Sequence, residues 1–143
     1  MKKIVKITAV MLLVVLSLAV LVSCGPNSDP AKAEASLKKN GYTVTNMTGA
    51  VSTGAAAVLI GLDGEDVTNI IVASKKDDSG ETQSIIAIYC KDAATAKSAV
   101  EKAQENITAI ENLLHIKFEG ESNVVRSGAI LYTGTDAAVK ATR

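Results

Sequence analysis

The chain has 143 residues with 15 basic and 15 acidic side chains, and only four of its residues are aromatic. Binding to nucleic-acid backbones rests on clustered lysine and arginine, and stacking sites for bases or sugars are built from aromatic rings. This composition therefore argues against a nucleic-acid partner and against a groove for bases or sugars.

The first 23 residues have the layout of a secretory signal peptide. Three lysines lie among the first six residues, an uncharged apolar run follows from Ile7 to Val22, and the small Ser23 precedes Cys24. An uncleaved transmembrane helix is the alternative interpretation. Because the apolar run falls short of the ~20 residues that a membrane-spanning helix usually needs, we favour the signal peptide.

The four residues Leu21-Val22-Ser23-Cys24 resemble the lipobox of bacterial lipoproteins. In that class a diacylglycerol is linked to the cysteine through a thioether, and cleavage leaves the cysteine as the first residue. The resemblance implies that Cys24 carries lipid, with acyl chains such as palmitate, at the extracytoplasmic face of the cell membrane. Two or more chains are needed for firm anchoring, because one chain alone binds weakly. Cys24 is the only site residue that the sequence predicts.

Cleavage before Cys24 leaves 120 residues with a net charge of −3, the size of one ordinary domain. We therefore expect a signal peptide over residues 1–23, the lipidated cysteine and a short polar tether over 24–29, and a single domain over 30–143. A tether of this length reaches only about 20 Å when fully extended. The domain is expected to lie close to the bilayer.

The mature part is expected to begin with a helix. Asp29 and Pro30 are typical of an N-cap and a first helical residue. The helix then runs from Ala31 to Asn40, and Gly41 ends it because the residue after a helix often takes a left-handed conformation. A strand starts at Tyr42.

The stretch from Gly49 to Gly64 is ambiguous. Its apolar run fits a short helix capped by Ser52 or Thr53, or else a strand, and we favour the helix. Its glycines do not have the spacing of a dinucleotide- or phosphate-binding loop, so turns are the simpler interpretation.

A β-hairpin is predicted next. Val67 to Ser74 and Thr82 to Cys90 form its strands, and Lys75 to Gly80 form the solvated turn. The run Ile85 to Cys90 is apolar on both of its alternating faces, which is typical of a central strand that lies under a helix on at least one side.

A long amphipathic helix capped by Asp92 is predicted after the hairpin. Its apolar stripe consists of Ala96, Val100, Ala103, Ile107, Ile110 and Leu114. Spacing of this kind indicates a face packed on the core, and a coiled-coil surface is the less favoured alternative.

Shorter elements complete the chain. Ile116 and Phe118 alternate with charged residues, a strand lies within Val124 to Tyr132, and a last helix spans Asp136 to Thr142 with Thr133 or Thr135 as its cap. Together the elements predict an α+β fold, a two-layer sandwich whose mostly antiparallel sheet has helices covering one face.

The mature part also resembles a loose group of small bacterial surface lipoproteins that have no assigned activity. The matching stretches are Asn40 to Val44, Ile88 to Ala96 and Arg126 to Ala138. These are mainly strand and cap signals. The resemblance supports the order of the elements and implies no catalytic residue and no cofactor.

Few residues are candidates for chemistry. His115 is the only histidine and is expected at the surface near the end of the long helix, while Cys90 is expected to be a small buried residue. One histidine and one remaining thiol are too few for a zinc site or a hydrolytic triad. The acidic turns Asp63–Asp66 and Asp77-Asp78 lack the spacing of a calcium loop.

We therefore expect a non-catalytic binding or accessory module that is held at the membrane through Cys24. It would dock a protein partner of the cell envelope through a sheet edge or an apolar patch. A small-ligand carrier is the alternative and would need an internal cavity. A surface enzyme ranks third.

Overall fold

The structure is a computed structural model that describes residues 25–119 and 122–143. In chain order the elements are α1 (Pro30–Lys39), β1 (Thr43–Thr48), α2 (Ala50–Leu59), β2 (Val67–Lys76), β3 (Thr82–Cys90), α3 (Ala93–Glu105), α4 (Ile107–Leu113), β4 (Val125–Ser127), β5 (Ile130–Gly134) and α5 (Asp136–Lys140). A single 3-10 turn precedes β2. The predicted signal peptide and Cys24 lie outside the described residues.

The five strands form one antiparallel sheet in the order β1-β2-β3-β5-β4. Strand β3 is the middle strand, and every one of its residues from Ser84 to Cys90 is buried. The antiparallel sheet and the α+β class confirm the predicted fold class. The predicted hairpin of β2 and β3 is present, with both strands close to their predicted bounds.

Helices cover both faces of the sheet, which corrects the prediction that one face is covered. The helices α2, α3 and α4 pack on one face, called face A, and α1 and α5 pack on the other, called face B. The cause lies in β3, where Ile86 and Ile88 point to face A while Ile85 and Ala87 point to face B. An antiparallel strand that is apolar on both sides must be covered on both sides.

The first helix has the predicted signals. The Asp29 carboxylate accepts a 2.9 Å hydrogen bond from the backbone N–H of Ala31. Gly41 follows the helix with a φ of 84°, a left-handed conformation that glycine adopts without strain. Leu37 and Ala33 are fully buried against face B.

The ambiguous stretch forms the helix α2, as favoured, but its predicted cap is wrong. Gly49 is the N-cap residue, and no side chain caps this helix. Thr53 lies inside the helix instead, where its buried hydroxyl donates a 3.1 Å hydrogen bond to the carbonyl of Gly49. The hydrogen-bond partners of Thr53 could not be predicted from the sequence, because they are brought together only when α2 packs on β2.

The predicted long helix is two helices, because α3 ends at Glu105, α4 begins at Ile107, and Asn106 lies between them as the cap residue of both. The Asn106 side-chain amide donates a 2.8 Å hydrogen bond to the carbonyl of Leu59, the last residue of α2. Asn106 thereby satisfies a carbonyl that α2 leaves without an intrahelical partner. The interruption joins three helices on face A.

The C-terminal elements differ from the prediction in two details. The predicted single strand is a hairpin of β4 and β5 that turns at Gly128, whose φ is 57°. Ile116 and Phe118 belong to no strand and pack against the core of face A. Thr135 caps α5 by accepting from the N–H of Ala138.

Candidate functional site

The two ends of the sheet carry different features. We call the end where Val67 pairs with Cys90 and Tyr89 pairs with Ile130 the base. The opposite end, where Lys76 pairs with Thr82, is called the distal end. These two pairs lie at opposite ends of the hairpin formed by β2 and β3, so the base and the distal end are separated by the length of β2.

Residues Gly25–Ser28, which we call the N-terminal segment, are bound to the base. The Arg143 guanidinium donates two hydrogen bonds to the carbonyl of Gly25, from Nε at 3.0 Å and from Nη2 at 2.8 Å. The backbone N–H of Asn27 donates to the Thr142 hydroxyl at 3.0 Å. Since these contacts join residues 115 to 118 positions apart, they hold the first and last described residues of the domain together at one place.

The middle strand contributes to the same attachment. The Tyr89 hydroxyl donates a 2.7 Å hydrogen bond to the carbonyl of Asn27, and the ring is 4% exposed. Burial, together with the negative charge of Asp29, raises the pKa of Tyr89 to about 12. The phenol therefore stays a neutral donor at physiological pH, and the segment keeps its bond.

Gly25 is tightly enclosed. A Cβ atom at this position would lie 2.5 Å from the Cβ atom of Ser127 in β4. Gly25 and Pro26 are both buried. The predicted polar tether is therefore not a free linker over its described residues, because Gly25 and Pro26 are packed against the domain.

A shallow cavity of about 580 Å³ lies beside the N-terminal segment at the base. Its lining includes Asn27, Thr68, Cys90 and Arg143. Cys90 is 6% exposed, and burial, followed by the charges of Asp66 and Asp92, raises the pKa of its thiol to about 11. The thiol is therefore protonated near neutral pH, as expected for a buried structural cysteine.

The strand β1 forms one edge of the sheet and carries no charged residue. Within the described part of the chain, the only hydrogen bonds to its backbone come from β2. Thr43, Thr45 and Thr48 are exposed along it. Sheet edges are usually protected by lysine, proline, a bulge or a covering element, and β1 has no lysine, proline or bulge.

A surface groove of about 430 Å³ runs beside β1 on face A, which we call the β1 groove. Its floor contains Thr43, Thr45 and Met47 from β1. The wall opposite is the segment that ends α4 and follows it, Leu113–Ile116. The groove lies toward the distal end, because Thr43 pairs with Ser74.

His115 lies in the wall of the β1 groove. As predicted, it is exposed at the end of a helix, and it has a φ of 53°. Its backbone N–H donates to the carbonyl of Asn112 at 3.3 Å, which helps to close the last turn of α4. The position makes His115 a wall residue of the groove.

The acidic turns form contacts within the protein. Asp66 pairs with Lys91, whose ammonium lowers the pKa of the Asp66 carboxyl. Asp77 accepts hydrogen bonds from Ser79 and Gln83, which lower its pKa to about 2. Within residues 25–119 and 122–143, no group of three or more His, Cys, Asp or Glu is placed to hold a metal ion.

Sequence reasoning identified neither the β1 groove nor the attachment of the N-terminal segment. Gly25 and Arg143 lie 118 positions apart, and no local pattern signals their contact. No helix in the described part of the chain is long and apolar enough to cross a membrane. Comparison with known protein families, with curated proteins and with solved structures gave no match for this chain.

Proposed function

We propose that the protein is a lipid-anchored, extracytoplasmic binding module that pairs an extended segment of a protein partner with β1. The lipobox resemblance at Cys24 supports the anchor and the location. The observation that carries the binding role is the uncharged edge of β1, whose outward backbone groups lie beside the β1 groove.

Strand addition uses this geometry directly. An incoming strand forms main-chain hydrogen bonds with the edge, which supply affinity, and its alternate side chains enter neighbouring pockets, which supply specificity. On face A those side chains would lie next to Leu113 and Ile116 across the floor of Thr45 and Met47. The partner segment is therefore expected to be extended, to lack proline, and to alternate apolar or threonine-like side chains on this face.

A small-ligand carrier is the second candidate and has less support. Such a carrier needs an enclosed space, whereas the β1 groove is open to the surface. The small pocket beside the face-A core, between Ile86, Ile110 and Leu131, measures only about 10 Å³, roughly the space of one water probe. We place catalysis below both candidates, since the proposed role requires only binding.

Site-specific photo-cross-linking on intact membranes tests the binding role. A photoreactive residue at Thr45 reports contacts at the edge, and the same residue at Asp78 in the distal turn serves as the control. We expect an adduct at Thr45 alone, and mass spectrometry of the adduct should map the cross-link to one extended segment of the partner.

A second variant distinguishes strand pairing at β1 from a cross-link to a protein that merely lies nearby. Thr45→Lys adds a charge to the edge and should abolish the adduct formed from a photoreactive residue at Thr43, because charged edge residues oppose strand addition. Ser52→Lys, on the exposed surface of α2, should leave that adduct unchanged. Equal adducts in both variants, or a cross-link to a second copy of this chain, would overturn the proposal.

A further inference from the structure

We propose that the N-terminal segment is a rigid bracket that sets the base of the domain against the lipid surface and turns the β1 groove away from it. This inference rests on the proposed lipidation of Cys24. It adds an orientation to the anchor, and it names the lipid bilayer as the partner of the base.

The N-terminal segment is held rigidly. Gly25 and Asn27 are bound by side chains that lie outside α1, the helix that follows the segment. These side chains belong to Arg143, Thr142 and Tyr89. The Arg143 guanidinium binds the carbonyl of Gly25 with two donors of one planar group, which fixes the direction of the carbonyl as well as its distance. A segment held at three points does not swing as a flexible tether would.

The proposed lipid would be attached next to the base. Cys24 precedes Gly25 directly, and consecutive Cα atoms are about 3.8 Å apart. Its acyl chains would therefore enter the bilayer within one residue of the buried Gly25. The bilayer is therefore the surface that faces the base, because the proposed lipidated residue adjoins Gly25 there.

Charged residues of both signs lie at the base. The base carries the acidic residues Asp63, Glu65, Asp66 and Asp92 and the basic residues Lys91, Arg126 and Arg143. Because acidic residues outnumber basic ones there, anionic headgroups, which attract lysine and arginine, do not draw this surface to the bilayer. The orientation is therefore set by the bracket and the acyl chains. The unlipidated Cys24→Ser protein should not bind vesicles of phosphatidylglycerol.

The β1 groove extends away from the base along β2. Ser74, which pairs with Thr43 in the groove, lies seven residues along β2 from Val67 at the base. At about 3.3 Å per residue this is roughly 23 Å. A base that faces the bilayer thus holds the Thr43 end of the β1 groove farthest from the headgroups, whereas the Met47 end, which pairs with Ile70, lies only about 10 Å along β2 from the base. An envelope protein can reach the groove from the Thr43 end.

Rigidity can be tested without lipid, in the secreted Cys24→Ser protein. We expect the amide of Asn27 to be protected from hydrogen exchange. Gly25→Ala should speed its exchange at least about tenfold, the factor that matches the loss of one charge-assisted hydrogen bond, because the added methyl group meets Ser127. Gly54→Ala is the matched control, since a Cβ at Gly54 meets nothing within 4 Å.

Arg143→Gln provides a second test of rigidity that adds no bulk at Gly25. It should speed Asn27 exchange by a similar factor, whereas Arg126→Gln, at an exposed arginine bonded to Gly128, should not. An unprotected Asn27 amide in the parent protein would overturn the bracket. Equal exchange in Arg143→Gln and Arg126→Gln would also overturn it.

Orientation is tested with the lipidated protein on phosphatidylcholine vesicles that carry a nitroxide on the headgroup. A fluorophore is placed at Ala94, at the start of α3 near the base, or at Asp78, in the distal turn; both positions are exposed. We expect strong quenching at Ala94 and little at Asp78, and we expect Arg143→Gln to reduce this difference.

The outcomes separate the bracket from the anchor. Equal quenching at Ala94 and Asp78 in the parent protein would overturn the orientation while leaving the anchor in place. Failure of the parent protein to stay on the vesicles would overturn both the lipid-facing base and the proposed anchoring, even if the Asn27 amide is protected.

Discussion

The Tyr89 hydroxyl donates a 2.7 Å hydrogen bond to the backbone carbonyl of Asn27, a residue 62 positions earlier in the chain. This bond joins the middle strand of the sheet to the segment that follows the predicted lipidation site. It places the attachment of the N-terminal segment on the most buried strand of the domain. The segment is thereby part of the folded structure.

Tyr89→Phe removes this hydroxyl and leaves the Asn27 carbonyl without its donor. We expect the free energy of unfolding to fall by about 1 kcal/mol, the usual net value of one hydrogen bond. Urea unfolding of the secreted Cys24→Ser protein measures this change. Tyr42→Phe is the control, because it keeps the ring that lies 4.8 Å from the Lys75 ammonium. An equal loss in both variants would contradict this role of Tyr89.

The decrease in the free energy of unfolding at alkaline pH should depend on Tyr89 and Cys90. Their pKa values are raised in the folded protein, to about 12 from 10.0 and to about 11 from 9.0, mainly by burial. The unfolded chain releases these protons first, so raising the pH favours unfolding. We expect stability to fall progressively between pH 9 and pH 12. Urea unfolding at several pH values should show a shallower fall in Tyr89→Phe and in Cys90→Ala, and an unchanged slope would contradict the prediction.

The distal turn should contribute to stability in acid. The pKa of Asp77 is lowered to about 2 by hydrogen bonds, the largest from Ser79 and the next from Gln83. This contribution is present above the ordinary pKa of 3.8 and is lost as the pH falls toward 2. Asp77→Asn should therefore lose less stability than the parent between pH 4 and pH 2. Asp78→Asn, in the same turn, should follow the parent.

Asn106 should hold the helices of face A together. Asn106→Ala removes the donor to the Leu59 carbonyl and is expected to lower the free energy of unfolding by about 1–2 kcal/mol. Asn112→Ala, at an exposed position in α4, is the control and should change it by less than about 0.5 kcal/mol. Thermal or urea unfolding distinguishes them, and a neutral Asn106→Ala would mean that packing alone joins α2 to α4.

Much of the fold could be predicted because its signals are local. Asp29, Pro30 and Gly41 lie within or next to the helix they delimit, and a cap or a left-handed residue acts over only a few positions. The hairpin of β2 and β3 is likewise signalled by two strands and the polar turn between them. The run from Ile85 to Cys90 indicated a central strand for the same reason.

The parts that could not be predicted depend on contacts between distant residues. Asn106 interrupts the long helix because the carbonyl of Leu59 lies beside it, 47 positions earlier. The α1 and α5 helices come from distant parts of the chain and share face B, where α1 packs over β1 and β2 and α5 packs over β3. Helical periodicity reports that a helix has a buried side, but it does not report which face of the sheet receives it.

The candidate site likewise has one part that could be predicted from the sequence and one part that could not. Cys24 was predicted from the pattern of residues around it, and the test of its lipidation is chemical. The binding role of β1 could not be localised, because Thr43–Thr48 becomes an edge only through the strand order of the whole sheet. The wall of the β1 groove likewise depends on where α4 ends, at Leu113.

Intact-mass analysis of the protein extracted from membranes tests the anchored module most directly. We predict a chain that begins at Cys24 and carries a diacylglyceryl group on that residue, and we predict that Cys24→Ser is released without lipid. A membrane-bound chain that retains residues 1–23, or one that begins at an unmodified Cys24, would contradict the lipid anchor and the orientation derived from it.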